Sequence, residues 1–161
     1  MSSNGVHRPQ RSQLRGYIVL MGVYNALVGL ALVAAKRTGR LGVRPRAQDI
    51  LLIALATQRL SRLLSKDRVT SALRAPFTAY EGEGGPGEVE ERPRGRGLRR
   101  AVGELLVCPF CMAQWIATAL AVGLLFAPRV TRFLAGVFSV VGLADLLQLL
   151  YKGAEKATVE D

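Results

Sequence analysis

Nineteen consecutive uncharged residues, Tyr17 to Ala35 (YIVLMGVYNALVGLALVAA), constrain this chain more than any other feature. A helix needs roughly 20 apolar residues to cross about 30 Å of hydrocarbon, so the run is a candidate membrane span. Arg8, Arg11 and Arg15 precede it as they would a signal peptide, but the run exceeds a typical signal core and the small-residue cleavage signal is poor. Two more runs follow. Leu105 to Ala127 is uncharged over 23 residues and is stopped by Pro128 and Arg129, and Phe133 to Tyr151 is interrupted only by Asp145. The short PRVTR link between them predicts an antiparallel helical hairpin.

A fourth helix is predicted at about 48–65. There Leu51, Leu52, Leu55, Leu60, Leu63 and Leu64 could line a broad apolar face with Arg59 and Arg62 near one edge. An Arg near a bilayer centre costs about 2.5 to 3.5 kcal/mol on insertion scales, so this helix either crosses or lies at the surface. The expected fold is therefore all-α: a multi-pass membrane helix bundle of four helices, three or four of them crossing. Its expected parts are a basic tail at 1–16, a transmembrane helix at 17–35, helices at about 48–65, 105–127 and 133–152, and a C-terminal tail at 153–161.

The net charge of +10, from 22 Lys+Arg against 12 Asp+Glu, first suggests nucleic acid. Nucleic-acid modules carry basic residues on a folded face with aromatic residues between them, whereas here arginines flank apolar runs, as in membrane proteins. No nucleic-acid partner is expected; the lipid bilayer is. Four spans place 13 Lys+Arg on one side and 7 on the other, and three spans place 17 against 5. Both countings put residues 65–104 and the C-terminus in the cytoplasm of a bacterial inner-membrane protein, and only the side of the N-terminus depends on the choice.

Between the second and third helices, TAYEGEGGPGEVEERPRGRG runs acidic and then basic, with glycines and prolines that discourage regular structure. A flexible, disordered cytoplasmic loop at 78–97 is expected. A docking strip for a partner protein and self-pairing of the opposite charges are the alternatives.

One His and two Cys exclude a single-chain site with three or four His/Cys ligands. His7 reads as a solvated tail residue. Cys108 and Cys111 form a C-x-x-C enclosing Pro109 at the start of the third helix, where unpaired N–H groups and the helix dipole stabilise a thiolate. Three readings stay open: reduced packing residues, a redox pair, or a zinc site built only by sharing thiolates across a homodimer. No other cofactor is expected. Asp145 is an ionisable residue inside a span, and such residues are paired or functional. Arg59 lies seven residues before Lys66, and Asp145 seven before Lys152, which puts both at the same depth and lets them meet. Arg62, Gln148, Gln114 and the two cysteines reach comparable depth, so an intramembrane polar cluster is expected. Tyr17 and Trp115 read as membrane-interface anchors. Gly22 and Gly29 share a rough helix face that a homodimer could use.

Arg59-x-x-Arg62-Leu63, Lys66-Asp67, Arg74-Ala75-Pro76-Phe77 and Glu104-Leu105-Leu106-x-Cys108-Pro109-Phe110-Cys111-x-x-x-Trp115 together resemble the bacterial family called domain of unknown function 1360, over roughly residues 48–152. The YEGEGGPGEVEE wording resembles actinobacterial members. The resemblance implies a small multi-pass membrane protein without an established activity, some relatives of which carry a sporulation label. It also implies that the Arg/Asp and cysteine blocks form one unit, to which Tyr17–Ala35 is an N-terminal addition. The expected function is a non-enzymatic scaffold or assembly component. The rivals are a thiol-redox or metal-linked membrane protein and a small channel or holin-like pore.

Overall fold

The structure is a computed structural model that describes residues 11–42 and 44–159, with side chains over 14–42 and 44–156. Helix α1 (Arg11–Arg37) is followed by a 3-10 turn and by α2 (Ala47–Ser65). A second 3-10 turn and the short α3 (Ser71–Arg74) lead into strands β1 (Thr78–Glu83) and β2 (Val89–Pro93), and α4 (Gly97–Val107), α5 (Pro109–Phe126) and α6 (Pro128–Val159) complete the order. Among the described residues three stretches, Leu14–Arg37, Pro109–Phe126 and Pro128–Lys156, are long and apolar enough to cross a membrane.

Two prolines set the helix boundaries. Pro109 and Pro128 each occupy a first helical position, where the missing N–H removes no bond and the fixed φ suits the helix. The run Leu105–Ala127 is therefore not one helix. Its first three residues end α4, Cys108 is extended (φ −103°, ψ 103°), and α5 starts afresh. PRVTR likewise is the first turn of α6 rather than a link, so α5 and α6 meet across Ala127 alone.

Pairs of contacts fix the helix directions. Asp49 meets Arg132, the Ser139 hydroxyl donates to the Leu52 carbonyl, and Arg59 meets Asp145, so α2 and α6 start at one end and run the same way. Tyr17 meets Glu104, Tyr24 meets Thr118, and Arg40 donates to the Phe126 carbonyl (2.9 Å), so α1 runs parallel to α4 and α5. The C-terminal ends of α1 and α5 therefore lie together. Because α6 begins two residues after α5 ends, α2 begins at that end too.

The contact surfaces are lined by small side chains. On α2, Ala56, Thr57, Ser61 and Ser65 are buried; on α6, Thr131, Ala135 and Ser139 are. The large apolar residues of α2 are less buried than these small ones: Leu51 is 64% exposed while Ser61 is 4% exposed. Of the six leucines expected to line a broad apolar face, Leu51 is exposed and Leu52, Leu55, Leu60, Leu63 and Leu64 are half-buried, so the fully buried positions belong to the small residues instead. Small residues let backbones approach closely, the packing used between helices that have no hydrophobic drive to associate.

The expected disordered loop is instead an antiparallel hairpin, and the chain is not all-α. Thr78 pairs with Pro93 and Glu83 with Val89, with a bulge between Tyr80 and Gly82. Opposite charges account for part of this, through Arg92–Glu81 (3.5 Å) and Arg68–Glu83 (2.9 Å). The backbone after α2 adds a third partner: Arg68 N donates to the Gly87 carbonyl and Val89 N to the Lys66 carbonyl, both at 2.9 Å. Gly87 has φ +77°, a conformation that suits glycine. At Gly103 on α4 a Cβ would lie 2.6 Å from the Phe77 carbonyl oxygen and 3.1 Å from Pro93, so only glycine lets the hairpin seat there.

Candidate functional site: an ion-paired cap on the second helix

Arg74 is the centre of the site. Its side chain is 1% exposed, and its partner Glu91 is 6% exposed. All five guanidinium donors are used. Nε and Nη2 bind the Glu91 carboxylate at 2.8 and 3.3 Å. Nη1 donates to the Leu64 carbonyl (2.9 Å) and the Thr70 hydroxyl (2.7 Å), and Nη2 also donates to the Asp67 carbonyl (3.1 Å). The last turn of an α-helix leaves carbonyls without helical partners, and Arg74 takes one of them at the end of α2. Thr70 takes another, donating to the Leu63 carbonyl, and Thr78 donates to Glu91 at 2.9 Å. Removing either charge would strand the other in a buried site, which is why such pairs are costly to break.

Around this centre the remaining charges pair between α2 and the hairpin. Arg62 binds Glu88, and Lys66 binds Glu90 at 2.8 Å. Arg59 binds two carboxylates, Asp67 and Asp145, each at 3.0 Å, and so ties the cap to α6. A groove of about 580 Å³ lies beside α3 and the hairpin, lined among others by Arg68, Ala72, Thr78, Tyr80 and Arg94.

The residues grouped by depth in the sequence fall into three places. Arg59 and Asp145 meet, and Arg62 lies beside them but turns to Glu88. Gln114 is not in that group: its amide donates to the Tyr24 hydroxyl (2.8 Å) on α1, and Tyr24 stacks edge-on against Trp115 with ring centroids 5.2 Å apart. Gln148 is exposed on α6. Depth fixes position along a helix but not the face, and α1 and α2 pack on different faces of α5. Tyr17 donates its hydroxyl to Glu104, and Trp115 lies in the α1–α5 contact. His7 lies outside the described residues.

Cys108 and Cys111 are paired as a disulfide with Cα atoms 5.3 Å apart. Cys108 is also the N-cap of α5, its Sγ accepting the Cys111 N–H at 3.2 Å. A zinc site shared across a dimer would need both sulfurs as thiolates, which the disulfide consumes. Among the described residues no three His, Cys, Asp or Glu side chains converge as metal ligands.

Sequence reasoning missed Arg74, Glu91 and the small-residue seam. The signals were present as RAPF beside an acidic run, and as Thr57, Ser61 and Ser65 spaced four apart.

A family model described as "Protein of unknown function (DUF1360)" matches residues 52–151, which takes in most of α2, the cap, α4, α5 and most of α6 and leaves α1 outside. The chain is 33% identical over 104 residues to the Sporulation protein YjcA of Bacillus subtilis (strain 168), covering 63% of this chain and 88% of that relative. A Bacillus relative supports the family rather than an actinobacterial subgroup. No solved structure matches. With the arginine, acidic and cysteine blocks joined in one unit by the cap and α4, the chain belongs to the DUF1360 family of proteins of unknown function.

Proposed function

We propose that this protein is an integral membrane scaffold, a four-helix bundle with every long helix crossing, whose ion-paired hairpin cap presents a fixed surface to a protein partner on the cytoplasmic side. The observation that carries the reading is the burial along α2, where Thr57, Ser61 and Ser65 are buried while Ile50 and Leu51 are exposed and the other leucines are only half-buried. In water that arrangement would expose the apolar face; in lipid it satisfies both. Helix α2 has 19 residues, about 28 Å at the standard rise, close to the thickness of the hydrocarbon core. It also begins at the end where α1 and α5 finish, so a crossing α2 returns the chain to the end where α4 and α5 begin. The four-crossing count puts 13 Lys+Arg with the cap against 7 opposite, favouring a cytoplasmic cap and N-terminus.

The scaffold reading is supported over a pore because Arg59 and Asp145 bind each other and Asp67 instead of standing unpaired. The sporulation role named for the Bacillus relative concerns a process, and a scaffold is a molecular form compatible with it. The thiol-redox reading keeps one favouring observation, the Cys108–Cys111 disulfide. The test is a photocrosslinker in place of Tyr80 beside the groove, activated in native membranes. A discrete protein adduct that Arg74→Ala abolishes is expected; lipid adducts alone would contradict the scaffold. Dye leakage from reconstituted vesicles would favour the pore instead.

A further inference from the structure

The two sulfurs of the disulfide sit in unequal surroundings. Cys111 is an exposed residue on the first turn of α5, and the neighbouring Phe110 is 90% exposed. Cys108 is half-buried in the break between α4 and α5, and its Sγ already accepts a backbone N–H from the first turn of α5. A helix N-terminus favours negative charge, so the Cys108 sulfur is the better placed to leave as a thiolate. On the orientation proposed above, this helix end faces the cytoplasm, a reducing compartment where disulfides that do form are mostly transient, catalytic or redox-sensing.

We infer that Cys108–Cys111 is an exchangeable redox site, opened by a dithiol reductant that attacks Cys111 Sγ. The attacking thiolate forms a mixed disulfide with Cys111, the Sγ–Sγ bond breaks, and its electron pair leaves on Cys108 Sγ. The second thiol of the reductant then attacks its own sulfur in the mixed disulfide and expels Cys111 as a thiolate. The chain gains two electrons and two protons as a dithiol, and the reductant leaves as a disulfide. Pro109 keeps the turn primed in both states, because its fixed φ does not depend on the sulfur bond.

This inference rests on the proposed orientation for its compartment but not for its chemistry, and the two are tested separately. Oxidised full-length protein in detergent is pulsed with millimolar glutathione, quenched in acid and mapped by mass. Glutathione adducts are expected on Cys111 in about tenfold excess over Cys108, with the pair reduced at equilibrium. Adducts equal on the two sulfurs or concentrated on Cys108, or a pair that stays oxidised, would overturn the exchange site. A membrane-impermeant phosphine should open the disulfide in sealed inside-out vesicles and leave it closed in spheroplasts. The reverse result would overturn the orientation and leave the exchange chemistry standing.

Discussion

Along α2 the buried side chains include Thr57, Ser61 and Ser65 while Leu51 faces outward; just past its end, Arg74 and Glu91 are the buried pair under the hairpin. The helices meet through small groups and leave their apolar bulk outside. The cap does what soluble proteins do with charge, enclosing a guanidinium whose five donors all have acceptors. On the membrane reading proposed above, the two regions are built for different solvents, and the change falls within one turn of Ser65. Arg59 stands at that change, with two hydrogen bonds to Asp67 in the cap and one contact to Asp145 on α6.

The comparison breaks most severely at its buried pair. Arg74→Ala should destabilise the cap by about 3–5 kcal/mol, because it leaves the Glu91 charge buried without a partner. Limited proteolysis between Gly84 and Gly87 should then become rapid while α1, α2, α5 and α6 stay protected. A paired replacement, Arg74→Met with Glu91→Leu, should recover most of the loss, since apolar groups of similar volume strand no charge.

The second test concerns the outer face of α2. Ala54 is exposed near the helix midpoint. On a water-facing helix Ala54→Lys would be nearly neutral; in a bilayer it should cost about 2.5–3.5 kcal/mol, read as a fall in insertion efficiency. Next comes the seam: Ser61→Leu overfills a site that is now closed and should cost about 1–3 kcal/mol in detergent unfolding. The smallest effect belongs to the rim of the cap. Lys66–Glu90 is partly exposed, so Lys66→Met should change stability by about 0–1 kcal/mol, less at high salt.

How much of this could be read from the chain alone follows from which forces act locally. Uncharged runs announce long apolar helices because length and composition suffice. The meeting of Arg59 and Asp145 follows from helix rise, since counting residues from Lys66 and Lys152 gives depth. The face each residue takes is set by which neighbour packs where, so Gln114 went to Tyr24 instead. The hairpin looks like a loop in sequence because its glycines and prolines weaken local strand preference, while its stability comes from charges and backbone groups contributed by Lys66, Arg68 and Arg74. Those partners lie outside the loop's own sequence window. The α4–α5 break was legible in principle, since Pro109 suits a first helical position better than an interior one.

The central claim is that α2 crosses the bilayer, and residues 41 and 85 flank it. In a Cys108→Ser, Cys111→Ser background, single cysteines at Leu41 and at Gly85 are labelled on intact cells with a membrane-impermeant maleimide. Leu41→Cys should label from outside, and Gly85→Cys only after the membrane is opened. Labelling of both positions from the same side would contradict the crossing, and with it the reading of the serine seam as a membrane interior.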